Sequence, residues 1–278
     1  MSSTKRILIT GVSSGFGRAL ADEALSAGHQ VVGTVRTHDA LRAFDARSPD
    51  GRGVGRLLDV TDIDAIDRVV AEIEYAVGPI DVLVNNAGYG HEGVMEESPL
   101  SAMRQQFDVN VFGAVAMMKA VLPFMRRRRR GRILNITSMG GFITMPGIAY
   151  YCGSKFALDG ISEVVGKEVA PFGIAVTAVA PGSFRTDWAG RSMVRSPRTI
   201  ADYDAQFDPI RLAREAKHGK QLGDPAKAAR AMLAIIDSDA PPAHLLLGSD
   251  AVALVREKLG RMAGEIDAWE ALSRSTDA

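Results

Sequence analysis

The chain is poor in cysteine, in aromatic side chains and in net charge. Its 278 residues include one cysteine, Cys152, which excludes an intrachain disulfide and argues against a cysteine-built metal centre. No metal site is expected. Thirty-three basic residues balance 33 acidic ones, so the chain has no electrostatic footprint for nucleic acid or an anionic membrane. No apolar run reaches membrane-spanning length. Met1 to Arg6 is short and polar and leads straight into a strand, so no signal peptide is expected. Together these absences make the cytosol the expected compartment. What remains is 46% hydrophobic, enough for a sizeable core.

Apolar runs alternate with helix-like segments. Strands are expected at Arg6–Thr10, Gln30–Val35, Gly55–Leu58, Val82–Asn85, Arg132–Thr137, Ala175–Ala180 and His244–Leu247. Most are rich in Val, Ile or Leu with little polar alternation, as strands covered on both faces should be. Helices are expected at Gly17–Ala27, Ile63–Val77, Ser101–Met125, Tyr151–Ala170 and Ala226–Ser238, with a terminal amphipathic helix near Val252–Leu272. This order predicts one α/β domain over residues 1–278, of Rossmann type: a doubly wound parallel seven-stranded sheet with helices on both faces. Asp62 and Asp224-Pro225 read as helix N-termini, and Gly28 as the residue that ends the first helix. Residues 187–222 break the rhythm. They are charged, contain Pro197 and Pro209, and read as an irregular substrate loop or lid, or else as a surface excursion with short helices of its own. The five arginines Arg126–Arg130 read as a solvated helix end.

The first strand runs into Gly11-Val12-Ser13-Ser14-Gly15-Phe16-Gly17 and then a helix. Glycines there let the backbone turn tightly beside a pyrophosphate, and the helix N-terminus offers free N–H groups to it. The spacing G-x-x-x-G-x-G departs from the usual G-x-G-x-x-G fingerprint, though the physics is shared. At the end of the second strand no carboxylate waits for a ribose 2′-hydroxyl; Arg36 stands there instead. A guanidinium at that position suits a 2′-phosphate, which predicts NADP(H) rather than NAD(H). Asp59 can accept from an adenine amino group or simply cap the turn with Thr61.

Tyr151 and Lys155 lie four residues apart on a helix, thirteen residues after Ser138. An ammonium beside a phenol favours the phenolate, so the tyrosine is expected to titrate below its ordinary value of about 10. Such a group can exchange a proton while a carbonyl and an alcohol interconvert. Alone, Y-x-x-x-K is weak and also fits an amphipathic helix. Tyr150 has Ser154 as its i+4 neighbour and no lysine. Cys152, adjacent in sequence, points elsewhere on the helix and reads as a small packing residue.

Taken together, the chain resembles the short-chain dehydrogenase/reductase family. The resemblance rests on Thr10-Gly11-x-x-x-Gly15-x-Gly17, Asp59, Asn85-Asn86-Ala87-Gly88, Asn110, Ser138, Tyr151-x-x-x-Lys155 and Pro181-Gly182-x-x-x-Thr186, in the family's order over residues 5 to about 190. Within the family, Thr10–Gly17 with Arg36 is most similar to the 17β-hydroxysteroid-dehydrogenase-like branch. The resemblance implies Tyr151 as catalytic acid or base, Lys155 holding the nicotinamide ribose and tuning Tyr151, Ser138 bonding the substrate oxygen, and Asn110 steadying a water beside Lys155. It implies a cofactor held by Gly11, Ser13, Ser14, Gly15, Phe16, Arg36, Asp59, Val60, Asn85, Ala87, Gly88, Tyr151, Lys155, Pro181, Gly182, Phe184 and Thr186. Homodimers or homotetramers through the helices near 101–125 and 151–170 are also implied.

Met139, Phe142, Ile143, Met145, Phe184 and Trp188 are expected to wall an apolar pocket, which suits a small hydrophobic ketone, aldehyde or alcohol. His91 and Glu92 fall near its mouth without an evident partner. Two other functions stay open at this point: a regulator that senses NADP(H) without turnover, and a nucleotide-sugar epimerase or dehydratase. The intact Asn110, Ser138, Tyr151 and Lys155 set weighs against the first. The short stretch of about 90 residues after Thr186 weighs against the second.

Overall fold

A computed structural model describes residues 4–48 and 50–278. In chain order the elements are β1 (Arg6–Thr10), α1 (Gly15–Ser26), β2 (Gln30–Val35), α2 (His38–Asp45), β3 (Gly53–Leu57), α3 (Ile63–Glu72), β4 (Val82–Asn85), β5 (Gly90–Glu92), α4 (Leu100–Phe107) and α5 (Gly113–Arg128). There follow β6 (Gly131–Ile136), α6 (Ala149–Val169), β7 (Ile174–Pro181), β8 (Met193–Arg195), α7 (Asp204–Ala216), α8 (Pro225–Ile236), β9 (His244–Leu247) and α9 (Ser249–Arg274). Seven strands form one parallel sheet in the order β3-β2-β1-β4-β6-β7-β9, as the alternating pattern predicts.

Each face of the sheet has its own apolar layer. On one side Ile7, Ile9, Val31 and Val84 pack under α1 and α8 through Leu20, Ala24 and Met232. On the other, Leu8, Leu83 and Ile133 pack under α3 and α5 through Ile66, Val70, Met117 and Val121. Burial on both faces explains why these strands lack polar alternation. Strand order reverses between β1 and β4, opening a crevice at their carboxyl ends.

The predicted helix ends hold. Asp62 Oδ1 accepts from Ala65 N, Asp224 Oδ1 accepts from Ala226 N and Lys227 N, and Gly28 sits at φ +88°. Four features differ from expectation. The first is α2, unseen in the sequence, where Thr37 caps eight residues that bury only Phe44. A helix so short carries too little periodicity to announce itself. The second is the 187–222 segment, which follows the alternative reading, an excursion with elements of its own, rather than an irregular loop. It contains β8, paired in parallel with β5 as a separate two-stranded sheet, and the thirteen-residue α7.

Third, Leu100–Arg128 runs continuously through α4, a π-helical turn at Asp108–Phe112, and α5. By length and composition alone this 29-residue stretch is long and apolar enough to cross a membrane, a test that a buried core helix also passes. In the fold, 44% of its apolar window is buried, with Met117, Val121 and Met125 fully covered by the sheet. Fourth, the Arg126–Arg130 run is not simply solvated. Arg128 makes a two-pronged pair with buried Glu74, at 2.6 and 2.9 Å, and also donates to Ile80 O at 2.9 Å. Arg127 and Arg129 lie over the Phe124 and Phe172 rings.

Candidate active site

The cradle forms at the crevice between β1 and β4. Gly11 and Gly15 take positive φ, +73° and +56°, which an L side chain rarely adopts. Gly17 has no room for a side chain: a Cβ there would stand 2.3 Å from Gly11 O and 2.4 Å from Asn86 Nδ2. The loop is tied to the end of β4. Thr10 Oγ1 accepts from Asn86 N and Ala87 N at 3.0 Å, and Asn86 Nδ2 donates to the carbonyls of Thr10 and Gly11. Ser14 precedes α1 in extended conformation without a side-chain cap, so the first-turn N–H groups lack a capping side chain among the described residues. Ser13 O accepts from Arg18 instead.

Around this loop the other predicted residues take clear places. Arg36 is exposed past β2, with no ion pair among the described residues. Asp59 is exposed and caps the turn, its Oδ1 accepting from Thr61 N and Oγ1. Val60 is buried against Gly113. Asn85 Nδ2 donates to Asn135 Oδ1 at 2.8 Å, and Asn135 Nδ2 to Ser162 Oγ, a polar thread through the sheet into α6. On the far side Phe184 meets Phe16 edge-on, 5.1 Å between ring centres. The Pro181–Thr186 turn is anchored by Asp250, at the start of α9. Its Oδ2 accepts from Ser183 N at 2.8 Å, and it occupies the space a side chain at Gly182 would need. Thr186 lies beneath Gly15 and caps the turn that carries Trp188.

Ser138, Tyr151 and Lys155 converge where β6 meets α6. All three are buried, at 8%, 6% and 6% exposure. The point a Gly140 Cβ would occupy lies 3.4 Å from both Ser138 Oγ and Tyr151 Cε1. Ser138 also caps the turn after β6, accepting from Gly140 N at 3.0 Å. Lys155 Nζ donates to Ile136 O at 2.7 Å and stands 5.8 Å from the centre of the Tyr151 ring. Asn110, in the π-helical turn, donates to Tyr89 O and Ser154 Oγ and accepts from Tyr89 N, all at 3.1 Å. Its Oδ1 and Lys155 Nζ both border Gly88.

The expected drop in the Tyr151 pKa does not occur. Burial pushes the phenol well above its ordinary range, and Ser138 and Trp188, leaning toward the hydroxyl, pull it back only partly. The Trp188 indole N–H has no well-formed hydrogen-bond partner among the described residues. Desolvation also lowers Lys155 to about 8. In this buried site the loss of water outweighs the ammonium's pull on the phenol. Cys152 is buried, its thiol pushed up by burial, as suits a packing residue. Tyr150 donates to Ser98 O at 2.8 Å and stacks on His91, away from the cluster.

The anticipated apolar wall divides. Met145 and Trp188 pack on Tyr151 with Ile148 and Cys152. Phe142 turns instead to His244, and Phe184 to Phe16. Two carboxylates hold the 187–222 segment over this region. Glu92, 1% exposed, receives Arg214 and Arg195. Glu97 receives Arg198 Nε at 2.8 Å and the backbone N–H groups of Thr199 and Ile200. A cavity of about 440 Å³ lies among Glu92, Arg195, Arg198, Phe207 and Arg211, and none of the catalytic candidates lines it. A second cavity of about 470 Å³ is bordered by Phe184 and Gly223 but by none of Asn110, Ser138, Tyr151 and Lys155, so convergent chemistry locates the site. The roles of Asn135, Ser162 and Glu97 escaped sequence reasoning, and Glu92 showed no partner there, because their partners are distant in the chain.

A doubly wound sheet with a glycine cradle at its switch point and a buried Ser-Tyr-Lys cluster beside it defines a dinucleotide-dependent oxidoreductase class. The family profile for short chain dehydrogenase matches residues 5–194. Oxidoreductase BOA17 of Botryotinia fuckeliana is 35% identical over 97% of this chain and 98% of its own. A short-chain dehydrogenase structure from Streptomyces avermitilis superposes with TM-score 0.92 at 42% identity, covering 100% of both chains. The structure of ElxO with NADP bound gives TM-score 0.75 at 26% identity, over 90% of this chain and 100% of that one. The chain belongs to the short-chain dehydrogenase family and is an oxidoreductase.

Proposed function

We propose that this protein interconverts a hydrophobic ketone or aldehyde and its alcohol, using NADP(H). The observation that carries this reading is the convergence of buried Ser138, Tyr151 and Lys155 beside the β1–β4 crevice. The cradle fits a pyrophosphate: Gly17 lacks space for any side chain, and the first-turn N–H groups of α1 lack a capping side chain among the described residues. Arg36, exposed and free of an ion pair among the described residues, suits a 2′-phosphate. ElxO, a relative by fold and sequence, binds NADP, which supports the same choice.

When bound, the nicotinamide supplies or takes the hydride. The protein's own groups manage the proton and the oxygen. In reduction Tyr151 Oη gives its proton to the substrate oxygen, and in oxidation it takes the alcohol proton. Ser138 Oγ donates to that same oxygen and shares the charge that develops on it. Lys155, held by Ile136 O, keeps a positive charge near the phenolate and reaches toward the ribose. Asn110 fixes the Tyr89 turn, and the remaining lone pair of its Oδ1, beside Gly88, can hold a water that passes protons to Lys155. Asn85, Ala87, Gly88 and Pro181 to Thr186 would hold the rest of the cofactor. Met145 and Trp188 give the substrate an apolar seat.

The test is NADPH consumption at 340 nm against hydrophobic ketones, aldehydes and quinones, with Tyr151→Phe as control. The expected result is turnover that falls at least about 100-fold in the variant while NADPH still binds. Turnover that survives in Tyr151→Phe would overturn the mechanism.

A further inference from the structure

α9 begins as part of the domain and ends outside it. Ala251 and Val255 are buried, and the helix base packs on β9 and the turn after Ser138. From Leu259 to Arg274 every residue is exposed. These sixteen residues rise about 24 Å at 1.5 Å each. A lone helix of this length, carrying Gly260 and Gly264 in its interior, is marginal in water. Its large apolar side chains, Leu272 excepted, fall on one line. Leu259, Met262, Ile266 and Trp269 follow Val255 at spacings of 4, 3, 4 and 3, a heptad seam that continues the buried face into solvent. All four are between 42% and 65% exposed.

Charge along the flanks selects the occupant. On one flank Lys258 lies toward the base and Glu265 toward the tip; on the other Arg256 lies toward the base and Glu270 toward the tip. Lys258, Glu265 and Arg256 have no ion-pair partner among the described residues, whereas Glu270 pairs locally with Arg274. A parallel copy would set Glu265 against Glu270. An antiparallel copy, with Leu259 against Met262 of the other chain, sets Lys258 of each chain beside Glu265 of the other, and it carries the two domains to opposite ends. Residues 256–274 hold four basic and four acidic side chains, so an anionic bilayer gains no net attraction.

We propose that the free half of α9 pairs antiparallel with the α9 of a second copy of this chain, seam to seam. This interface is separate from any association through α5 and α6, and it does not depend on the catalytic reading.

The experiment is the mass of the full chain in solution, by sedimentation equilibrium and light scattering. Ile266→Glu with Trp269→Glu should halve the wild-type assembly mass or weaken its association at least tenfold, with NADPH binding and far-ultraviolet circular dichroism retained. Lys258→Glu alone should weaken association several-fold, and adding Glu265→Lys should restore it. An unchanged mass in the Ile266/Trp269 variant would overturn the proposal. So would a Glu265→Lys single variant that tightens association, since that is the parallel signature. Wild-type chain that stays monomeric in buffer and floats with phosphatidylcholine/phosphatidylserine vesicles would assign the seam to a membrane instead.

Discussion

Trp188 lies across Tyr151, ring centres 5.0 Å apart and planes tilted 55°, with its indole N–H buried and unpartnered. Ser138 and Trp188 both draw the Tyr151 phenol down from where burial places it, Ser138 more than Trp188. Trp188 therefore works against the burial that raises Tyr151.

Trp188→Phe keeps the aromatic seat and removes the donor. The pH limb assigned to Tyr151 in kcat should move up, while NADPH affinity stays within about twofold. A limb that does not move, measured on a substrate found in the screen, would leave Trp188 as packing alone.

Arg36 is poised to discriminate cofactors because it is exposed past β2 with no carboxylate holding it. Arg36→Asp should lower the NADP(H) to NAD(H) ratio of kcat/KM by at least about tenfold, by removing a charge-assisted contact and placing a repelling carboxylate there. Steady-state kinetics with both cofactors reads this directly, and an unchanged ratio rejects the assignment.

Lys155 titrates near 8 in the folded chain, below its ordinary value of about 10.5. Between those values the unfolded chain holds more protons at this position than the folded one. This term therefore makes stability rise with pH from about 8 to about 10, and it penalises the fold below 8. In the cofactor-free protein, Lys155→Met should remove that slope, gaining roughly 1–3 kcal/mol relative to wild type near pH 7 and converging with it near pH 10. Urea unfolding across this range is the measurement. Above pH 10 Tyr151, raised by burial, contributes the opposite slope in both proteins.

Gly17→Ala puts a methyl 2.3 Å from the Gly11 carbonyl oxygen, and backbone must move to admit it. The loop should lose its cradle geometry, weakening NADPH by at least about tenfold and costing roughly 1–3 kcal/mol of stability. Calorimetric titration and thermal unfolding check the two effects separately. Gly28→Ala is the contrast: with open space around it, its cost is confined to the strained φ of +88°.

How much of this was legible in one dimension depends on how far apart the interacting residues lie. Four of the seven main-sheet strands match their expected bounds to the residue, β1, β2, β4 and β9, because burial on both faces writes itself as a local apolar run. The caps at Asp62 and Asp224 are equally local, each closing within three residues. Segment 187–222 resisted for the opposite reason. α7 buries only Phe207 and is held by Arg198 and Arg214 reaching Glu97 and Glu92, about 100 residues or more earlier in the chain. Such pairs leave no periodic trace.

The site divides along the same line. Glycine spacing, Tyr151-x-x-x-Lys155 and Arg36 are short-range patterns, and they determined the class of chemistry by themselves. The proton affinities were decided by the tertiary structure. Read locally, Lys155 should lower Tyr151. In the fold, both groups lose their water, so Tyr151 rises and Lys155 falls to about 8. Desolvation depends on everything packed around a group from every side, from Met145 and Trp188 to the end of β6, and no four-residue spacing contains it.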